Sequence, residues 1–179
     1  MDKDEKRGYI QVYTGNGKGK TTAAIGLAIR AAGAGLKVYI AQFIKMGEYS
    51  EIKALKRYSD LITVEQFGLG RFTDGKPLPE DIAAAQKGLK QVKSIMAAEE
   101  YKVIILEEAN VAAKYGLILE QDLLGLIVNK PYDVELVITG RIKDVITLRG
   151  KKYYSQDFEQ AIQGCHQALI MGGGAAFSI

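Results

Sequence analysis

The run Thr14-Gly-Asn-Gly-Lys-Gly-Lys-Thr-Thr22 constrains this chain more than any other stretch, because of what stands on either side of it. Before it, Tyr9-Ile-Gln-Val-Tyr alternates as a strand does. After it, an alanine-rich segment from Lys20 to Ala34 reads as a helix, stopped by Gly33 and Gly35. A strand, a Gly-rich turn and a helix in that order bring consecutive backbone N–H groups and the positive end of a helix to one point. Gly17 and Gly19 let the chain curl, Lys20 adds a mobile cation, and the Thr21 hydroxyl can ligate magnesium. The spacing is that of a phosphate-binding loop with Thr14 in the first position, where Gly or Ala is the usual choice. The residues expected to hold a nucleoside triphosphate are therefore Thr14, Gly15, Asn16, Gly17, Lys18, Gly19, Lys20, Thr21 and Thr22, with Lys20 and Thr21 also catalytic candidates.

The rest of the chain repeats the strand–helix alternation. Strands are expected at Val38 to Phe43, Leu61 to Phe67, Lys102 to Glu107 and Val134 to Thr139, with helices at Ser50 to Tyr58, Asp81 to Glu100 and Glu120 to Val128. Ile25, Leu27, Ala28 and Ile29 lie on or near one face of the first helix. Ile82, Ala85, Leu89, Val92 and Met96 do so on the longest one. Lys102-Val-Ile-Ile-Leu-Glu107 is apolar on both faces, as a central parallel strand must be. Asp144 to Arg149 reads as a further strand, Lys151 to Tyr154 as surface strand, and Asp157 to Met171 as a helix. The reading is an α/β fold, a P-loop NTPase-like three-layer sandwich with a mainly parallel central sheet and the ligand at the strands' carboxyl ends. Residues 1–179 form one nucleotide-binding domain, with 1–8 disordered and 172–179 a flexible tail.

Composition narrows the setting. With 179 residues, 47% of them hydrophobic, the chain can build a core without metal or disulfide support. A net charge of +3 gives no reason to expect nucleic acid. No apolar run approaches the roughly 20 residues of a membrane span, and the charged start lacks the apolar core of a signal peptide. The single cysteine, Cys165, excludes an internal disulfide. These features together suggest a soluble, cytoplasmic protein. Cys165 and the single histidine, His166, are adjacent and cannot share one helix face as metal ligands.

Glu107 and Glu108 close the most apolar strand, at the end expected to face the phosphate loop. An acid there can hold magnesium directly or through water, and Glu108 is the candidate for aligning a reacting group. Gly15-Asn-Gly-Lys-Gly-Lys-Thr-Thr-Ala-Ala24, Gln42-Phe-Ile-Lys45, Glu107-Glu-Ala-Asn110 and Leu136-Val-Ile-Thr-Gly-Arg141 occur in the order found in the P-loop-type ATP:corrinoid adenosyltransferases, which the chain resembles from residue 8 to about 141. It departs from that pattern in having Glu107 where Asp is usual and Val111-Ala-Ala near Asn110. After Arg141 it lacks the family's Pro-containing helix and the His of its Lys-His-Tyr or Lys-His-Pro run, with Asp144-Val-Ile-Thr-Leu-Arg149 and Lys151-Lys-Tyr-Tyr154 as shortened counterparts.

The resemblance implies transfer of the 5′-deoxyadenosyl group of ATP to the cobalt of a reduced corrinoid, with release of triphosphate. It further implies Mg2+ at Thr21, Glu107 and Glu108, nucleotide contacts that include Arg141, and corrinoid contacts from Phe72, Asn110 and Gln42. Asn110 orients either Glu108 or the corrinoid; Arg141 meets either phosphate or an amide of the corrin rim. Phe72 sits in a Gly- and Pro-rich loop suited to a flap, while Phe67 at its base reads as core. A homodimer and a flavoprotein reductase are the implied partners. Two other classes remain: a P-loop ATPase or kinase, which would make ADP, and a nucleotide-binding protein that has lost catalysis.

Overall fold

Val103-Ile-Ile-Leu-Glu107 is buried at every position, and it forms β4 (Val103–Glu107) inside a parallel sheet. The computed structural model describes residues 7–15, 17–70 and 76–140, together with the backbone of three later strands at 146–148, 151–153 and 175–178. Around β4 lie β1 (Ile10–Thr14), β2 (Val38–Gln42), β3 (Ile62–Gln66), β5 (Glu135–Gly140) and β8 (Ala175–Ser178), in the order β3-β2-β4-β5-β1-β8. All five pairings are parallel.

Two apolar layers sandwich this sheet. On one side α1 (Lys20–Gly33) and α2 (Ser50–Leu55) cover Val38, Ile40, Ile62, Val103, Ile105 and Val137. On the other, α3 (Pro79–Ala98), α4 (Ala109–Lys114) and α5 (Glu120–Val128) cover Tyr39, Ala41, Ile104, Leu106, Leu136 and Ile138. Alternate residues of β4 thus enter opposite cores, and burying each such Ile or Leu contributes roughly 1.5–3 kcal/mol. Helix α3 begins with Pro79, and the Asp81 carboxylate accepts the Leu78 N–H at 3.0 Å. It ends where Glu99 turns left-handed at φ 54. The buried face of α1 is Ala24, Ala28, Ala31 and Ala32, whereas Ile29, expected on or near one face with Ala28, is 40% exposed. Alanines let the helix lie close to the sheet, and the larger side chain is turned outward.

Helix α4, directly after Glu108, has no counterpart among the elements expected from sequence. Residues 1–6 and the helix expected at 157–171 lie outside the described residues. Gly8, assigned to a disordered start, is tied down: its N–H donates to the Tyr132 carbonyl at 2.9 Å and its carbonyl accepts Lys130 Nζ at 2.9 Å. Ala175–Ser178, assigned to the flexible tail, pairs with the outer edge of β1, whose backbone groups would otherwise be open. Strands β6 (Ile146–Leu148) and β7 (Lys151–Tyr153) form an antiparallel pair, in agreement with the strand expected near 144–149.

Candidate active site

The register of the sheet assembles the site. Gln42 is the Cα partner of Gln66 on one side and of Glu107 on the other, so the last residues of β3, β2 and β4 stand in one row. Two-residue alternation puts these side chains on the same face as Val64, Ile40 and Ile105, under α1. Each column is apolar until its final position, where it turns polar beside the phosphate loop. Gln66 Nε2 donates to Gln42 Oε1 at 2.8 Å, and Gln42 Nε2 donates to Glu107 Oε2. The chain of bonds fixes the Gln42 amide and aims the Glu107 carboxylate.

That carboxylate is 2% exposed and is met from two further directions. Thr21, in the first turn of α1, donates its hydroxyl to Oε1, and Lys45 Nζ approaches the same oxygen at 3.0 Å. A buried carboxylate without such partners would be costly. Burial works against the charge of Lys45, but attraction to Glu107, with Glu51 and Glu108 adding to it, prevails and raises the lysine pKa. Lys45 also lies 3.6 Å from Glu51 on α2.

The loop itself has the form its glycines predict. Gly19 stands immediately before α1 at φ 119, a conformation that favours glycine, and no side chain caps the helix. The start of α1 is thus open to an anion. Lys20 is buried, and its ammonium donates to the carbonyls of Gly15 and Gly17, each at 2.8 Å. Thr14 is buried at the end of β1, opposite Gly140, while Gly17, Lys18 and Thr22 are exposed.

Past β4 the chain turns sharply. Glu108 takes a left-handed φ of 58, which costs a non-glycine residue on the order of 1 kcal/mol. Its N–H donates to Thr139 Oγ1 at 3.2 Å, and α4 starts at once. Asn110 is buried in the first turn of α4, against Gly140 of β5.

Thr14, Lys20, Thr21, Glu107, Glu108, Gln42 and Asn110 all lie at the carboxyl ends of the strands or the turns leaving them. Gln42, expected toward the corrinoid, is 2% exposed and engaged with Glu107 and Gln66. Phe67 is core, packed with Phe43 at 6.1 Å between ring centres. Asn16, Phe72 and Arg141 lie outside the described residues. Gln66 and Glu51 were not among the residues singled out, and Thr139 was given no role of its own within the Leu136–Arg141 run. The available signal for Gln66 was that it ends an apolar column as Gln42 does.

A hydroxyl and a carboxylate converging on one point are oxygen donors of the kind a hard divalent cation takes. Among the described residues no three His, Cys, Asp or Glu side chains cluster. A cation here would have to complete its shell with water or with phosphate oxygens. Also among the described residues, no helix is long and apolar enough to cross a membrane.

A family model described as ATP:corrinoid adenosyltransferase BtuR/CobO/CobP matches residues 6–148, extending past Arg141 through β6. A corrinoid adenosyltransferase of Pseudomonas aeruginosa is 32% identical over 138 residues, covering 76% of this chain and 68% of that protein. One from Escherichia coli (strain K12) is 32% identical over 139 residues, covering 76% and 69%. Among solved structures, the flagellar accessory protein FlaH of Methanocaldococcus jannaschii matches with a TM-score of 0.53 at 14% identity, over 89% of this chain and 69% of that one. This last likeness is one of fold alone.

Proposed function

This chain belongs to the ATP:corrinoid adenosyltransferase family, and on that premise we propose that it transfers the 5′-deoxyadenosyl group of ATP to the cobalt of a reduced corrinoid. The observation that carries the reading is the family match over residues 6–148, joined to the meeting of Thr21 and Glu107 beside the phosphate loop. Cobalt(I) supplies the electron pair for the new cobalt–carbon bond. The C5′–oxygen bond of ATP breaks, and triphosphate leaves with the electrons of that bond. No proton has to be removed, so the protein's work is alignment and stabilisation of charge on the leaving group.

In this scheme the loop from Thr14 to Thr22 and the start of α1 bind the phosphate chain. Lys20 leaves the carbonyls of Gly15 and Gly17 to neutralise phosphate. Thr21 and Glu107, with Glu108 beside them, would hold Mg2+, whose bound charge would stabilise the departing triphosphate. Gln42 is assigned to aiming Glu107, and Asn110 to the floor on which the corrinoid or Glu108 rests. Phe72 and Arg141 retain their proposed contacts with corrinoid and with phosphate or corrin amide. We further propose that residues 1–179 act as one domain in the cytoplasm, as a homodimer served by a flavoprotein reductase.

The test is anaerobic incubation with ATP, magnesium and chemically reduced cobalamin, following the corrinoid spectrum and the phosphate products. A light-sensitive adenosylated corrinoid with triphosphate is expected. ADP with an unchanged corrinoid would replace this reading with that of an ATPase or kinase.

A further inference from the structure

Glu107 Oε1 carries two partners, and one of them is a charge that a metal ion would have to displace. Lys45 stands 3.0 Å from this oxygen, and it is the one cationic side chain paired with Glu107 among the described residues. Lys20, the other nearby cation, is turned away onto the carbonyls of Gly15 and Gly17. A magnesium ion on Glu107 Oε1 and Thr21 Oγ1 would sit about 2.1 Å from each oxygen. An ammonium and a dication on the same carboxylate oxygen would repel strongly in a site shielded from solvent. They cannot share it without one of them moving.

Lys45 has somewhere to go. Its Nζ is 3.6 Å from Glu51 Oε1 on α2 and 5.7 Å from the centre of the Tyr49 ring, so a small swing keeps it paired with a carboxylate and over an aromatic face. It projects from the loop after β2 and is partly exposed, whereas Glu107 is fixed by Gln42 and the sheet register. The mobile partner is the lysine.

We propose that Lys45 is a tethered stand-in for the divalent cation: it neutralises Glu107 in the nucleotide-free protein and yields to a metal that arrives with ATP, passing to Glu51. The inference rests on the metal site proposed above. Its consequence is that metal binding becomes conditional on nucleotide. With only Thr21 and the two adjacent glutamates to offer, the protein cannot outcompete its own lysine for a bare ion. Phosphate oxygens add the ligands that tip the balance.

The experiment is Mn2+ binding to the full chain without nucleotide, read by electron paramagnetic resonance of free Mn2+, in wild type, Lys45→Met and Lys45→Arg. Lys45→Met should bind Mn2+ at least about tenfold more tightly than wild type, and Lys45→Arg should return close to wild type. Adding Glu107→Gln to Lys45→Met should erase the gain. Should Lys45→Met fail to fold by circular dichroism, Lys45→Gln makes the same comparison with an uncharged side chain. Glu51→Gln should weaken Mn2+ binding several-fold both with and without ATP in the presence of Lys45, and should have much less effect in Lys45→Met, where no lysine has to be received. Equal Mn2+ affinity in wild type and the uncharged variant would overturn the proposal, as would a gain that survives Glu107→Gln. None of these readings involves the corrinoid. Failure of adenosyl transfer would remove the proposed reaction and leave the role of Lys45 standing.

Discussion

Asn110 occupies the space that a side chain on Gly140 would fill: a Cβ built there falls 1.5 Å from Asn110 Oδ1. The glycine is required because α4 follows β4 without a linker, which brings its first turn against the end of β5. Asn110 is then held in place, its Oδ1 accepting the Val111 N–H at 2.9 Å. Gly140→Ala should cost about 1–3 kcal/mol by overpacking. Asn110→Ala in the same chain should restore more than half of that loss, because the two changes meet at one point. Urea melts of the two single variants and the double variant measure the coupling, and strictly additive losses would show that the contact is not the cause.

Lys20 donates to two loop carbonyls, from which its ammonium would turn to meet phosphate. Lys20→Ala should lower ATP binding and adenosyl transfer by about 100-fold or more, the scale of losing one preorganised charge at a reacting group. The far-UV spectrum should be unchanged, since the surrounding helix and strand are held by their own cores. Undiminished transfer in this variant would remove the loop from the mechanism.

Thr21 separates hydroxyl chemistry from shape. Thr21→Val keeps the volume and removes the donor to Glu107 Oε1. Magnesium-dependent ATP binding, followed by calorimetry, should fall by about 100-fold. Thr21→Ser should stay within about fivefold of wild type, because it keeps the hydroxyl. ATP binding measured with magnesium chelated should be similar in all three proteins. If valine and serine behave alike, the hydroxyl is not a metal ligand.

Lys130 gives the stability a pH dependence far from the site. Its ammonium donates to the carbonyls of Gly8, Pro131 and Val134 at 2.9, 2.8 and 2.7 Å, closing the entry to β5 over the chain before β1. Burial pushes its pKa down to about 8 from 10.5, with Arg7 adding to the depression and Glu135 and Asp133 opposing it. Between these two values the unfolded chain binds more protons than the folded one, so this group's contribution to stability is least below the lower value and rises with pH. Denaturant melts at about pH 8 and about pH 10 should show wild type gaining on Lys130→Met. A gap that does not change with pH would mean that Lys130 titrates normally.

The two carboxylates at the end of β4 illustrate what was legible beforehand. Their position was readable, since Val103 to Leu106 are apolar without interruption and an acid after such a run must emerge at the strand's end. Which of the two turns inward was not. Glu107 continues the buried column of Val103 and Ile105, while Glu108 takes the left-handed turn into α4. Helix α4 itself escaped notice because its six residues, Ala-Asn-Val-Ala-Ala-Lys, are too few to show a helical period.

The sequence by itself determined a Gly-rich strand–loop–helix junction of the kind that binds phosphate, inside a sheet of alternating strands and helices. Those signals are local: glycines that permit a turn, a lysine and a threonine at its end, apolar runs of the right period. Only the tertiary structure decided that Gln66, Gln42 and Glu107 form one bonded row, that Lys45 closes on it, and that Gly140 makes room for Asn110. The order β3-β2-β4-β5-β1-β8 and its register set those meetings, joining residues as far apart in the chain as Thr21 and Glu107. Strand pairing is chosen by the packing of whole faces against α1 and α3, and no stretch of sequence read alone carries that choice.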